Sequence, residues 1–160
     1  MVDLKKISLI GGSLGIIAFF IPAYFGMVQD ADIGSGYTLD LTMIFMYFGL
    51  YFATYNYSPS TPSGVPTSGA GFSIAPFLLL VGVIGLIFAI YLIVKRNNIS
   101  SKTLIIFGAV LLALTSLEML FEFIAGMNVG LGVSLTLIPI APIIYVVIGV
   151  ILFVSGIIER

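Results

Sequence analysis

Residues 103–126, from Thr103 to Gly126, read TLIIFGAVLLALTSLEMLFEFIAG. At about 1.5 Å per residue, a helix of this length crosses a hydrocarbon core of about 30 Å. The stretch carries Glu118 and Glu122, the only charges inside any long apolar run of the chain. At this spacing on a helix the two carboxyl groups share one face. A charge at the bilayer centre costs about 2.5–3.5 kcal/mol or more, so Glu118 is expected to face the interior of a bundle and to find a partner there.

Composition supports the membrane reading. The chain has 160 residues, 60% hydrophobic and 8% charged, against about 25% charged in soluble domains. It has no Cys and no His. Disulfides, thiol chemistry, Cys/His zinc sites and Ser/His/Asp or Cys/His catalysis are therefore excluded within it. No P-loop, dinucleotide fingerprint, HExxH or GxSxG motif occurs. No basic, aromatic-interleaved face for nucleic acid exists either. The reading is a non-enzyme with no cofactor and no metal.

Outward from this stretch, Asn97–Lys102 is a polar turn, and Pro76–Val94 is a second apolar span closed by Lys95 and Arg96. Pro76 suits a helix start, where its missing N–H costs nothing. On the other side, MNVGLGVSLTLI alternates, with Val129, Leu131, Val133, Leu135 and Leu137 on one face, and reads as a strand. It leads into a span at Pro139–Ile158. Ile7–Met27 is a further span, with Pro22 kinking its outer end. At 21 residues it is longer than the apolar core of a signal peptide, about 7–15 residues, and no A-x-A site follows; it reads as a retained helix. Gly11 and Gly15 form a GxxxG pair, and Ser8 and Gly12 a second small-residue pair, which let helices approach closely.

Between the first two spans lies the segment 29–73. Tyr37–Met43 alternates and reads as a strand. Ile44–Tyr55 is an aromatic run of 12 residues, too short to cross, and reads as a second strand or an interfacial helix. Ser58–Gly71 is rich in Ser, Pro and Gly and reads as a loop. Asn56-Tyr57-Ser58 matches a glycosylation acceptor, making Asn56 a candidate site.

In a four-span layout all six cations, Lys5, Lys6, Lys95, Arg96, Lys102 and Arg160, fall on one side. The positive-inside rule makes that side cytoplasmic. The expected fold is thus an all-α membrane protein of one domain, 1–160. It is a four-transmembrane-helix bundle (7–27, 76–94, 103–126, 139–158) in the cell membrane, with both termini cytoplasmic. The segments 29–73 and 127–138 are extracellular, and their strands Tyr37–Met43 and Val129–Leu137 pair in a small β-sheet cap.

No cation of this chain reaches Glu118 in that layout. Three resolutions follow. Glu118 is protonated and belongs to a closed polar network with Tyr145, Tyr24, Ser116 and Thr115. A partner subunit supplies the counter-charge. Or Glu118 and Glu122 bind a transported proton or cation.

The arrangement, with a long first outer segment, a short second one and both ends inside, resembles the claudin-type tetraspan layout. That family's tryptophan and cysteine signature has no counterpart here; Phe48-Gly49-Leu50-Tyr51 stands nearest. No residue role is carried over. The functional expectation is a structural or accessory membrane protein. It meets lipid on its helices, and copies of itself or other subunits of a complex through its β-capped face. The alternative is a small oligomeric proton or cation channel or carrier that uses Glu118 and Glu122.

Overall fold

The computed structural model describes residues 3–34, 36–61, 63–72, 76–127 and 136–160. The chain runs α1 (Leu4–Phe20), β1 (Pro22–Gly34), β2 (Tyr37–Met46), β3 (Leu50–Ser58), β4 (Ser68–Phe72), α2 (Pro76–Val94), α3 (Ser101–Met127), β5 (Thr136–Pro139) and α4 (Ile140–Ile158). The strands form one antiparallel sheet in the order β4-β3-β2-β1-β5.

Local chemistry sets the boundaries. Asp3 caps α1, its Oδ1 accepting the N–H groups of Lys5 and Lys6 at 3.1 and 3.2 Å. At the other end Ile21, which precedes Pro22, adopts an extended backbone, as a residue before proline must. The helix stops there and the chain continues as β1. Ser100 caps α3 by accepting the Thr103 N–H at 3.2 Å.

The β2–β3 hairpin turns through Tyr47-Phe48-Gly49. The Gly49 N–H donates to Met46 O at 3.0 Å, and Gly49 has a φ of 84°, a conformation that glycine adopts without strain. In β1 a bulge separates the pairs Val28↔Leu41 and Ala31↔Leu39. Asp30 sits in it at a φ of 53°, and its N–H is held by Asp40 Oδ1 at 2.9 Å. Asp32 accepts the Gly34 N–H at 2.8 Å where the β1–β2 hairpin turns. Asp32 and Asp40 thus each satisfy a backbone donor of the sheet.

The helices pack antiparallel, as their contacts show. A Cβ on Gly12 would meet Ile93 and Ala89, and one on Gly15 would meet Ala89, which sets α1 against α2. A Cβ on Gly108 would lie 2.6 Å from Gly149 O, and one on Gly156 would lie 2.8 Å from Ser101 O, which sets α3 against α4. Gly11 rests on Leu152, which joins α1 to α4. Ser101 Oγ donates to Glu159 O at 3.0 Å and ties the start of α3 to the end of α4. Lys5, Lys6, Lys95, Arg96, Lys102 and Arg160 consequently gather at one end of the bundle. The sheet grows from the other.

The expected all-α, four-span bundle with a small extracellular cap is corrected by this fold. It is a mixed α and β fold with a five-stranded sheet. Among the described residues only two helical stretches, Ser101–Glu122 and Ile140–Ile158, are long and apolar enough to cross a membrane. The expected span Ile7–Met27 fails because Pro22 ends the helix rather than kinking it. The resulting α1 has 17 residues, about 25 Å, short of a hydrocarbon core of about 30 Å. In α2 the described apolar stretch Leu78–Val94 is also shorter than a full crossing.

The sheet is likewise larger than the expected cap. Pro22–Gly34 and Ser68–Phe72 are both strands, where the residues had read as helix end, turn and loop. Its placement outside the cell was read from a four-span topology that the fold does not carry. The expected pairing also differs: β1 lies between β2 and β5, so Tyr37–Met43 does not meet Thr136–Pro139. Of the expected strand Val129–Leu137, residues 129–135 lie outside the described residues.

Candidate functional site

Glu118 projects from α3 into the junction where the bundle meets the sheet, and it is completely buried. Three tyrosines from three other parts of the fold close around the same place. Tyr24 comes from β1, Tyr47 from the β2–β3 turn and Tyr145 from α4; all three are buried members of one apolar core with Ala23, Leu78, Val81 and Ala141.

The Tyr47 hydroxyl donates to Glu118 Oε2 at 3.2 Å. The Tyr47 and Tyr145 rings are 5.5 Å apart and tilted by 57°. The Tyr145 hydroxyl donates to Gly15 O at 3.3 Å, which bonds α4 to α1. Among the described residues, two buried atoms of this junction have no hydrogen-bond partner, Glu118 Oε1 and Tyr24 Oη.

Helix α2 makes room for the rings. A Cβ on Gly82 would lie 2.6 Å from Tyr47 Cβ, and a Cβ on Gly85 would lie 2.6 Å from Tyr145 Cζ. Two glycines one helical turn apart thus accept two tyrosines on one face.

Burial pushes the Tyr24 hydroxyl well above the usual phenol range, and the Glu118 and Glu122 carboxyl groups push it further. Tyr47 is raised in the same direction by burial first, then by Glu118 and by its neighbours Tyr145 and Tyr24. Both phenols therefore keep their protons at any physiological pH and serve as neutral partners. The cations stand at the opposite end of the bundle, so no described lysine or arginine supplies a counter-charge here.

The other sequence candidates fall elsewhere. Glu122 is half-buried, one turn nearer the sheet. Thr115 is buried, but its hydroxyl donates back to Leu111 O at 2.6 Å. Ser116 is exposed on the outer side of α3 and takes no part in the junction. Asn56 is exposed on β3, within a strand rather than a loop. Gly11 and Gly15 lie at helix contacts, against Leu152 and Ala89 respectively.

Tyr47, Gly82 and Gly85 were missed by sequence reasoning. Tyr47 is one aromatic among many in its run, and its only local signal is the glycine two residues later that turns the chain. Among the described residues no group of three or more His, Cys, Asp or Glu side chains is placed to hold a metal ion. Chemically the site is a hydrogen-bonded clasp between helix and sheet. No family model and no curated protein matches this chain.

Proposed function

We propose that this is a non-enzymatic, membrane-anchored assembly protein of the cell membrane that holds its sheet rigidly against a bilayer-embedded helix pair and offers that sheet to a copy of itself or to another subunit. In this reading α3 and α4 cross as an antiparallel pair. The cation-bearing end, where α1 begins and α4 ends, rests against the cytoplasmic headgroups. Large apolar side chains exposed on the helices, among them Ile106, Leu117, Leu120, Val147 and Val154, meet acyl chains.

The observation that carries the reading is the Tyr47–Glu118 bond, which fastens the sheet to the longest helix through a fully buried polar contact. A sheet tied in this way is presented in a fixed orientation, which is what an assembly surface needs. Strand β3 supports the same reading. Phe52, Thr54 and Asn56 alternate outward while Ala53 is buried, and Phe52 is 47% exposed.

The test is native mass spectrometry of the protein extracted in mild detergent. A complex larger than the monomer is expected, and Phe52→Asp is expected to reduce it to monomer with the melting temperature unchanged. A wild-type monomer with nothing co-purifying would contradict the reading.

A further inference from the structure

We infer that Glu118 is held as a neutral carboxylic acid whose proton sits on Oε1 and is donated to Tyr24 Oη, so that the acid clasps β1 on one side and the β2–β3 turn on the other. Four observations meet in this statement. Glu118 is fully buried, and its Oε2 already accepts from Tyr47. Its Oε1 has no partner. Tyr24 Oη, also buried, has no partner either. Tyr24 belongs to the same buried core as Tyr47, which bonds that carboxyl group.

An ionised carboxylate only accepts hydrogen bonds, whereas a protonated one also carries a donor. With the acid neutral, Oε1–H donates to the phenol oxygen of Tyr24 while Oε2 keeps the bond from Tyr47. Each of the two unmatched atoms then has a partner, as buried polar groups require. A Tyr24 hydroxyl donating to an ionised Oε1 would match the same two atoms, and the surroundings decide for the neutral acid. Among the described residues, the titratable groups facing Glu118 are Tyr24 on β1, Tyr47 in the turn, Tyr145 on α4 and Glu122 on α3 itself, and none is a cation. Helix α2 contributes Gly82 and Gly85 there, and α1 contributes the Gly15 carbonyl, which Tyr145 occupies. A buried carboxylate with no counter-ion is resolved by taking up a proton. The inference is independent of whether a partner docks on the sheet.

Infrared spectroscopy of the purified protein in lipid at neutral pH tests it. A protonated-carboxyl C=O stretching band is expected in the wild type. It should vanish in Glu118→Gln and persist in Glu122→Gln. The amide of Glu118→Gln reproduces both bonds, donating to Tyr24 and accepting from Tyr47, so this variant is expected to fold. Tyr24→Phe keeps the ring and is expected to shift the band without removing it. Absence of the band in the wild type would overturn the inference. So would its loss in Glu122→Gln with retention in Glu118→Gln, or a band that Tyr24→Phe leaves unmoved.

Discussion

Toward its cation-bearing end the bundle is held by glycine; toward the sheet it is held by tyrosine. In the first region, Gly12, Gly108 and Gly156 bring backbones into direct contact with Ala89 O, Gly149 O and Ser101 O. Close van der Waals packing dominates there, with one side-chain bond, Ser101 Oγ to Glu159 O, at the very end. In the second region the glycines of α2 meet side chains rather than backbone. Tyr24, Tyr47 and Tyr145 fill the space, and each ends in a hydroxyl that must be satisfied. Glu118 is the acceptor that the fold supplies to Tyr47. The glycine contacts fix how the helices cross, and the clasp fixes how the sheet sits on them. The difference follows from what each region joins: helix to helix in one, helix to sheet in the other.

The largest expected effect breaks the glycine region. A Cβ at Gly108 would lie 2.6 Å from Gly149 O and Phe153 N, which are backbone atoms that cannot swing aside. Gly108→Leu should therefore cost upward of about 3 kcal/mol, beyond the usual cost of overpacking, and thermal unfolding in detergent should show it. Gly108→Ala should fall within about 1–3 kcal/mol.

Next comes the clasp. Tyr47→Phe leaves Glu118 Oε2 without its donor and should destabilise by about 1–3 kcal/mol, the cost of an orphaned buried acceptor. The glycine contacts should survive, so far-ultraviolet dichroism should retain its helical signal.

Alkaline pH should act on the same region. Tyr24 and Tyr47 have raised pKa values in the folded protein, while unfolded tyrosines titrate at about 10. Their contribution is fully present below pH about 10 and is lost as pH rises above it, because the unfolded state then releases protons that the folded state retains. The melting temperature should decline above that pH, and less steeply in Tyr47→Phe. The smallest effect is expected at Ser116, exposed and outside the junction: Ser116→Ala should stay within about 0.5 kcal/mol of wild type.

The sequence made three of the four helices readable, misplaced the end of α1 and concealed much of the sheet. Pro76–Val94 emerges with the bounds its apolar run and flanking Lys95 indicate, and α3 and α4 begin and end within two residues of the expected limits. β1 was hidden because Ile21–Met27 continues the apolar run of α1 without a break. Hydrophobicity alone does not distinguish a buried strand from a helix, and only Pro22 marks the change. β4 was hidden by its composition, Ser-Gly-Ala-Gly-Phe, which has poor strand propensity. The structure supplies the reason it forms: Tyr51 pairs with Gly71 and covers it, and the Tyr55 ring lies 3.7 Å from where a Cβ of Gly69 would be.

At the site, Glu118 was conspicuous as a carboxyl group in an apolar run, and counting along helices placed Tyr145 at its level and Tyr24 at that of Glu122. Tyr24 proved to be on a strand, and Tyr145 spends its hydroxyl on Gly15. Tyr47 was not legible because it reaches Glu118 across 71 positions of sequence, through a turn whose location depends on the β2–β3 register.

The Tyr47–Glu118 clasp is tested most directly by a double-mutant cycle with Tyr47→Phe and Glu118→Met, read as unfolding free energy in detergent. If the two groups bond to each other, the double variant should be less destabilised than the sum of the singles, by about 1 kcal/mol or more. Strict additivity of the two losses would contradict the clasp, and with it the claim that the sheet is fastened to α3 through this glutamate.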